Sequence, residues 1–310
     1  MKIEYAILVK NKTRLELLVE RFNTKAQAKF YIEHSGGNFE EYEAEHAHFH
    51  DSLSLVQRRL STVVKNKIVE RSFLPSFLFS ENQVVVVVGQ DGLVANAAKY
   101  VKGLPMVAVN PDAERYDGVL LPFTPDNFLG GVEGVLAGKF PAKIAALAEA
   151  RLNDGQRLLA FNDLFIGASS HVSARYKIAY RDKTEEHSSS GIIVSTASGS
   201  TGWLSSIFNM TYGMLQFVER KGGNKKQPKL KDNQLMFVVR EPFESKKTQA
   251  GLTAGILGGE NKLTVESFMP VNGVIFSDGI ESDFLRFNSG AIATIGIARE
   301  KARIVLKDTK

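Results

Sequence analysis

Val84-Val85-Val86-Val87-Val88, followed by Gly89-Gln90-Asp91-Gly92 and then Leu93–Val101, is the stretch that decides the fold. Five consecutive valines have no polar alternate face. Such a run is stable only where both faces are covered, as in a central strand of a parallel sheet. The glycine-flanked turn and the helical pattern after it lead to a second apolar strand, Pro105–Val109. Strand, crossover helix and strand make the βαβ unit of an open α/β sheet.

Working outward, Tyr5–Val9 reads as a first strand, and helical stretches are expected over Lys12–Phe22 and Thr24–His34. Thr24 is placed to cap the second of these, and Gly36-Gly37 to end it. Phe39–Lys65 is expected to be one long helix, because Leu53, Val56, Leu60 and Val63 recur at helical spacing. The first half therefore predicts a doubly wound α/β domain over residues 1–139, to which residues 298–310 could return.

Beyond Gly138 the character changes. Asn153-Asp154-Gly155 is a tight-turn signal, so Ile144–Leu152 and Arg157–Ile166 are expected to form a hairpin. Short runs follow at Ala174–Tyr180, Gly191–Ser195, Gln234–Val239, Lys262–Val265, Val274–Phe276 and Ala291–Ile297, spaced by Gly, Asn, Asp and Ser. A β-rich second domain over residues 140–297 is predicted. Lys221–Lys231, with five lysines, reads as a loop.

The chain has 310 residues, a net charge of +5 and no cysteine. The cysteine count excludes disulfides, thiolate catalysis and cysteine-bound zinc, and points to a reducing compartment. No apolar run approaches the ~20 residues of a membrane span, and no signal or transit peptide is visible. A cytoplasmic protein without a membrane or nucleic-acid partner is expected, with a charge suited to a polyphosphate.

Three features could carry chemistry. Ligands of open α/β sheets bind at the carboxyl ends of strands, which is where Gly89-Gln90-Asp91-Gly92 falls. An aspartate there repels phosphate, so it suits a Mg²⁺ ligand or a base for an attacking hydroxyl; otherwise it caps the helix. The second feature is Ser195-Thr196-Ala197-Ser198-Gly199-Ser200-Thr201-Gly202-Trp203, which has five hydroxyls, two glycines and the only tryptophan. It can bind ribose or phosphate and stack on a base, or simply start a helix. The third is Asn162-Asp163, polar within an apolar stretch and in need of partners, from a ligand or from the protein. Apart from these, His46 and His50 share a helix face, with Glu43 as a possible third metal ligand. Solvated histidines on a polar helix are the common alternative.

Taken together and in this order, Gly89–Gly92, Asn162-Asp163 and Thr196–Trp203 resemble the motifs of the NAD kinase family. Val109-Asn110-Pro111-Asp112-Ala113-Glu114-Arg115, Ala160–Gly167, Ser189-Ser190-Gly191 and Phe287–Ala293 are similar to stretches of its mitochondrial-type branch. The resemblance implies an NAD kinase-like α/β domain followed by a β-rich dinucleotide-binding domain, with the active site between them. It implies phosphorylation of the 2′-hydroxyl of NAD from ATP or polyphosphate, with Mg²⁺, in a homodimer or higher homo-oligomer. Asp91 inherits the catalytic and Mg²⁺-binding roles. Substrate and nucleotide contacts fall to Gly89, Gln90, Gly92, Asn110, Asn162, Asp163, Thr196, Ser198, Gly199, Ser200, Thr201 and Trp203. The chain departs from the family pattern at Gln90, where a glycine is usual, at Leu93, where a threonine is usual, and at Asp163, where a glutamate is usual. Gln90 and Leu93 motivate an alternative, a dinucleotide-binding homologue without turnover. A kinase acting on a lipid or sugar hydroxyl shares the glycine-aspartate turn, but not Asn162-Asp163 or Thr196–Trp203.

Overall fold

The five valines form the buried centre of a parallel sheet. In the computed structural model, which describes residues 2–219 and 227–308, the chain divides into two compact units. The first comprises residues 1–144 and 303–310, the second residues 145–302.

In the first unit, β3 (Gln83–Val88) lies between β1 (Tyr5–Lys10) and β4 (Pro105–Val109), all parallel, and β2 (Lys65–Glu70) pairs with the outer edge of β1. Val84 to Val88 are fully buried. On one face, Val84, Val86 and Val88 join Ala6, Leu8, Val107 and Val109. That face is covered by Leu53, Val56 and Leu60 of α3 (Phe39–Leu60) and Phe128, Val132 and Val135 of α5 (Phe128–Leu136). Val85 and Val87 alternate to the opposite face, and α4 (Asp91–Ala98) packs against β3. Each fully buried valine contributes about 1.5–3 kcal/mol over an exposed one, so this strand anchors the unit.

Two smaller helices, α1 (Arg14–Phe22) and α2 (Lys25–His34), pack with the start of α3 through Leu15, Ala28, Ile32 and Phe39. Thr13 and Glu16 form a reciprocal capping box on α1, and Thr24 caps α2 as its sequence predicts.

The long helix stops at Leu60 rather than Lys65, because Lys65–Glu70 leaves it to become β2. The hairpin around Asn153–Gly155 is present, joining β5 (Ala142–Leu152) to β6 (Arg157–Ala160) antiparallel. The extended stretch expected over Arg157–Ile166 breaks, however: Phe161 and Asn162 form a bend, and β7 (Asp163–Ala168) begins after it.

The second unit is built of antiparallel sheets. One carries β7 flanked by β10 (Ile192–Thr196) and β14 (Gly273–Ser277). Its outer strands are β11 (Leu235–Val239), β12 (Ala254–Leu257) and β15 (Ile280–Arg286). Another runs β9 (Lys183–Ser189), β8 (Ala174–Tyr180), β13 (Leu263–Ser267) and β16 (Ile292–Val305). Inward residues of both sheets form one core, with Ile166, Tyr176, Val194, Phe237, Val265 and Ile295 among its members. The end of β16 belongs to the first unit, where Arg303 and Ile304 pair in parallel with Pro105 and Met106. The return of the carboxyl terminus is thus a strand. α6 (Trp203–Glu219) begins where the Ser195–Trp203 motif was open to being a helix start, although no extent was assigned to it from the sequence. Of the lysine-rich segment, residues 221–226 lie outside the described residues, and Gln227–Lys231 carries no regular structure. Among the described residues, no helix is long and apolar enough to cross a membrane.

Candidate functional site

Asp91 is the first residue of α4, directly beyond the carboxyl end of β3, where an α/β sheet presents ligands. It does not cap the helix. Gln90 holds the cap position and makes no side-chain capping bond. Instead, the two Asp91 carboxylate oxygens accept the backbone N–H groups of Val119 (3.1 Å) and Leu120 (2.8 Å). A carboxylate has about four lone-pair sites, so each oxygen keeps one for a hydroxyl proton, a water or a hard cation. This donor set fits Mg²⁺, which typically takes one or two carboxylates plus phosphates and waters.

The loop that Asp91 grips is the one containing Asn110. Asn110 is buried, and its carboxamide is committed to the loop: it donates to Tyr116 O (2.9 Å) and accepts from Asp112 N–H (3.0 Å). The loop is fastened to α3 by Ser52 Oγ and His48 Nε2 on Pro111 O, at 2.9 and 3.0 Å, and by Arg115 on Glu45 at 2.9 Å. Two motifs that are twenty residues apart in sequence are thus one assembly, with Asn110 as a holder of backbone rather than a free side chain.

Gln90 is exposed, with an extended backbone (φ −98°, ψ 167°) that any residue can adopt. Leu93 is buried, and its side chain lies where a Cβ on Gly89 would come within 2.8 Å.

In the second unit, the Asn162-Asp163 and Thr196–Thr201 segments pack on each other. Thr196 Oγ1 donates to Phe161 O (2.6 Å) and accepts from Gly199 N–H (3.1 Å), and Thr196 N–H donates to Asn162 O (2.9 Å). Gly199 sits against this backbone: a Cβ there would lie 2.4 Å from Asn162 O, so only glycine fits. Ser200 Oγ donates to Ala197 O (2.7 Å). The hydroxyls of Thr196 and Ser200 therefore shape the turn. Asn162 differs from them: it is half-buried, and its carboxamide has no hydrogen-bond partner among the described residues.

Asp278, which sequence reasoning missed, holds Asn162 in place. Its carboxylate accepts the N–H groups of Phe161 (3.0 Å), Asn162 (2.7 Å) and Asp163 (3.2 Å). Asp278 and Gly279 are both left-handed (φ 53° and 71°) and turn β14 into β15. The Asp-Gly pair was a visible turn signal, but nothing in the sequence pairs it with residues more than a hundred positions upstream.

The same carboxylate bears on Asp163. Burial pushes the Asp163 carboxyl up to about 7, and the neighbouring Asp278 charge adds to this, while Ser195 opposes it. One Asp163 oxygen is buried without a partner. The folded protein thus holds more protons than the unfolded chain between pH 3.8 and about 7, so stability falls as pH rises through that window. Asp163→Asn is expected to flatten this dependence. Thermal melts from pH 5 to 8 should show the wild type losing more stability than the variant, and parallel slopes would contradict the assignment.

Trp203 opens α6, stacked on Phe165 with ring centroids 5.9 Å apart and planes 8° apart, and the Arg240 guanidinium lies 5.6 Å from its ring. It borders a cavity of about 850 Å³ with Phe165, His171, Arg240, Phe276 and Arg286. Among the sequence-predicted site residues, Trp203 alone lines this cavity.

The structure of yeast NADH kinase complexed with NADH superposes over 99% of this chain and 84% of its own, with a TM-score of 0.60 at 13% identity. An NAD kinase from Archaeoglobus fulgidus in complex with ATP superposes over 99% and 95%, with a TM-score of 0.54 at 16% identity. The chain has the fold of these kinases. In sequence, it is 27% identical to an NAD kinase of Chlorobaculum tepidum over 121 residues, which are 38% of this chain. The match spans 42% of that relative's length. No protein-family model matches the chain.

Proposed function

We propose that this chain is a kinase that phosphorylates the 2′-hydroxyl of the adenosine ribose of NAD, giving NADP, with ATP or another polyphosphate as donor. The observation that carries the reading is a fold shared over 99% of the chain with one kinase solved with NADH and another solved with ATP. The sequence likeness to an NAD kinase adds to it, as does Asp91 at the carboxyl end of the central strand.

In this reading, Asp91 accepts the proton of the 2′-hydroxyl. The ribose oxygen bonds to the terminal phosphorus as the bond to the bridging oxygen of the donor breaks, and the donor shortened by one phosphate (ADP from ATP) leaves. Alternatively, Asp91 would hold a Mg²⁺ ion, which would supply positive charge to offset that on the transferring group. The Val119 and Leu120 N–H groups fix the carboxylate in one orientation, so that positioning supplies much of the acceleration. Asn162 offers the substrate a carboxamide that is unpaired among the described residues, and Trp203 an aromatic face. The motif likenesses favour the mitochondrial-type branch, and the absence of cysteine favours a reducing compartment such as the cytoplasm. A homodimer or larger homo-oligomer completes the proposal, and light scattering of the purified protein tests it.

A second reading, dinucleotide binding without turnover, is favoured by Gln90 and Leu93. The two readings differ in one assay, production of NADP from NAD and Mg-ATP by the purified chain. Gln90→Gly bears on the same point. Gln90 precedes the first turn of α4, where the Leu93 N–H already donates to Gln90 O (2.9 Å); a side chain at this position hinders approach of phosphate to the helix start, so Gln90→Gly is expected to raise activity or lower the KM for the donor. No change, or a loss of activity, would show that Gln90 belongs to a re-shaped site.

A further inference from the structure

The two histidines on α3 acquire in the fold a partner that the sequence did not indicate. Glu43 is not that partner, because it is paired with Lys25. Instead, the capping-box residue Glu16 of α1 reaches across. One ring nitrogen each from His46 and His50 and one carboxylate oxygen of Glu16 all lie within 4.8 Å of one another. His50 Nε2 is 3.2 Å from Glu16 Oε1, and the two imidazole rings are 4.4 Å apart.

We propose that His46, His50 and Glu16 bind a divalent transition-metal ion of the zinc type, clamping α1 to α3. The donor set is the one such ions select: two imidazoles and a carboxylate, with ligand distances of about 2.0–2.2 Å. Three protein ligands leave a fourth position for water. The outer contacts of a metal site are also in place. His46 Nδ1 is bonded to Thr13 Oγ1 (2.9 Å), which orients the ring and leaves Nε2 to ligate. Thr13 N–H donates to Glu16 Oε2 (2.7 Å), which leaves Oε1 facing the histidines. Metal ligands are typically held in this way by a second partner. One contact opposes the ion: Lys10 Nζ lies 3.7 Å from Glu16 Oε1. The metal takes over the charge pairing that Lys10 provides, and Lys10, at the end of β1, swings away toward solvent. All three ligands are partly buried, so an ion can enter without unfolding.

The test is a zinc titration of the full chain after chelator treatment and without nucleotide, followed by calorimetry and thermal melts. The proposal expects one equivalent of Zn²⁺ to bind saturably and to raise the melting temperature. His46→Ala and His50→Ala should each weaken binding by at least about tenfold. Glu16→Gln, which keeps the capping box, should weaken it as well. His34→Ala, on the exposed end of α2, should bind as the wild type does. Zinc binding that is absent, non-saturable at micromolar concentration, or weakened less than about tenfold in either α3 histidine variant overturns the proposal.

Discussion

Asp91→Asn is expected to abolish turnover while leaving the fold intact. If Asp91 takes the hydroxyl proton, its loss should appear in kcat, by roughly 10²–10⁴-fold, the usual contribution of a positioned acid–base group. The structure supplies a competing explanation that has to be separated from this one. Asp91 also holds the loop at Val119 and Leu120. An asparagine keeps one acceptor, so it can retain the shorter bond to Leu120, but its NH₂ would face the Val119 N–H donor. Losing one such bond costs about 0.5–1.5 kcal/mol, which a melt detects. A small drop in melting temperature with a large drop in kcat supports the catalytic role. A drop in melting temperature with wild-type kcat would leave Asp91 as a loop anchor.

Asn162→Ala is expected to weaken NAD binding by up to roughly a hundredfold, at tenfold per 1.4 kcal/mol, with little change in stability. The geometry separates its two roles. The Asn162 backbone is held by Asp278 and Thr196 through N–H and C=O groups that alanine retains. Its carboxamide holds nothing in the protein among the described residues, so truncation removes only what the ligand would use. Calorimetric titration with NAD beside a melt of the same sample reads both quantities. A large stability loss with unchanged affinity would remove Asn162 from the site.

What the sequence made legible follows the burial. Val84–Val88 could be placed because a five-residue run without polar interruption has one stable environment. The turn at Asn153–Gly155 was readable because its chemistry is local. β2 was not. Val69 alone is buried in Lys65-Asn66-Lys67-Ile68-Val69-Glu70, and an edge strand guarded by lysines carries no alternating pattern. The start of α6 was open as one of two readings of the Ser195–Trp203 motif, but its length was not, and several of its apolar residues, Met214, Phe217 and Val218 among them, are exposed. At the site, Asp91 and Asn162 could be singled out as polar residues beside buried strands, but no structural use beyond a helix cap was visible for Asp91, whereas its carboxylate anchors the loop at Val119 and Leu120. Their surroundings were not legible. Asp278 acts on amides contributed by a distant strand, and Asn110, expected to touch a ligand, spends its carboxamide on its own loop. Such pairings arise from the third dimension and leave no spacing in the chain.

The proposed activity is the formation of NADP. Incubation of the purified protein with NAD and Mg-ATP, and with Mg-polyphosphate in parallel, followed by enzymatic detection of NADP, tests it most directly. NADP that accumulates in proportion to enzyme and disappears in Asp91→Asn is the expected result. NAD binding without NADP from either donor would contradict it and leave a dinucleotide-binding protein on a kinase fold.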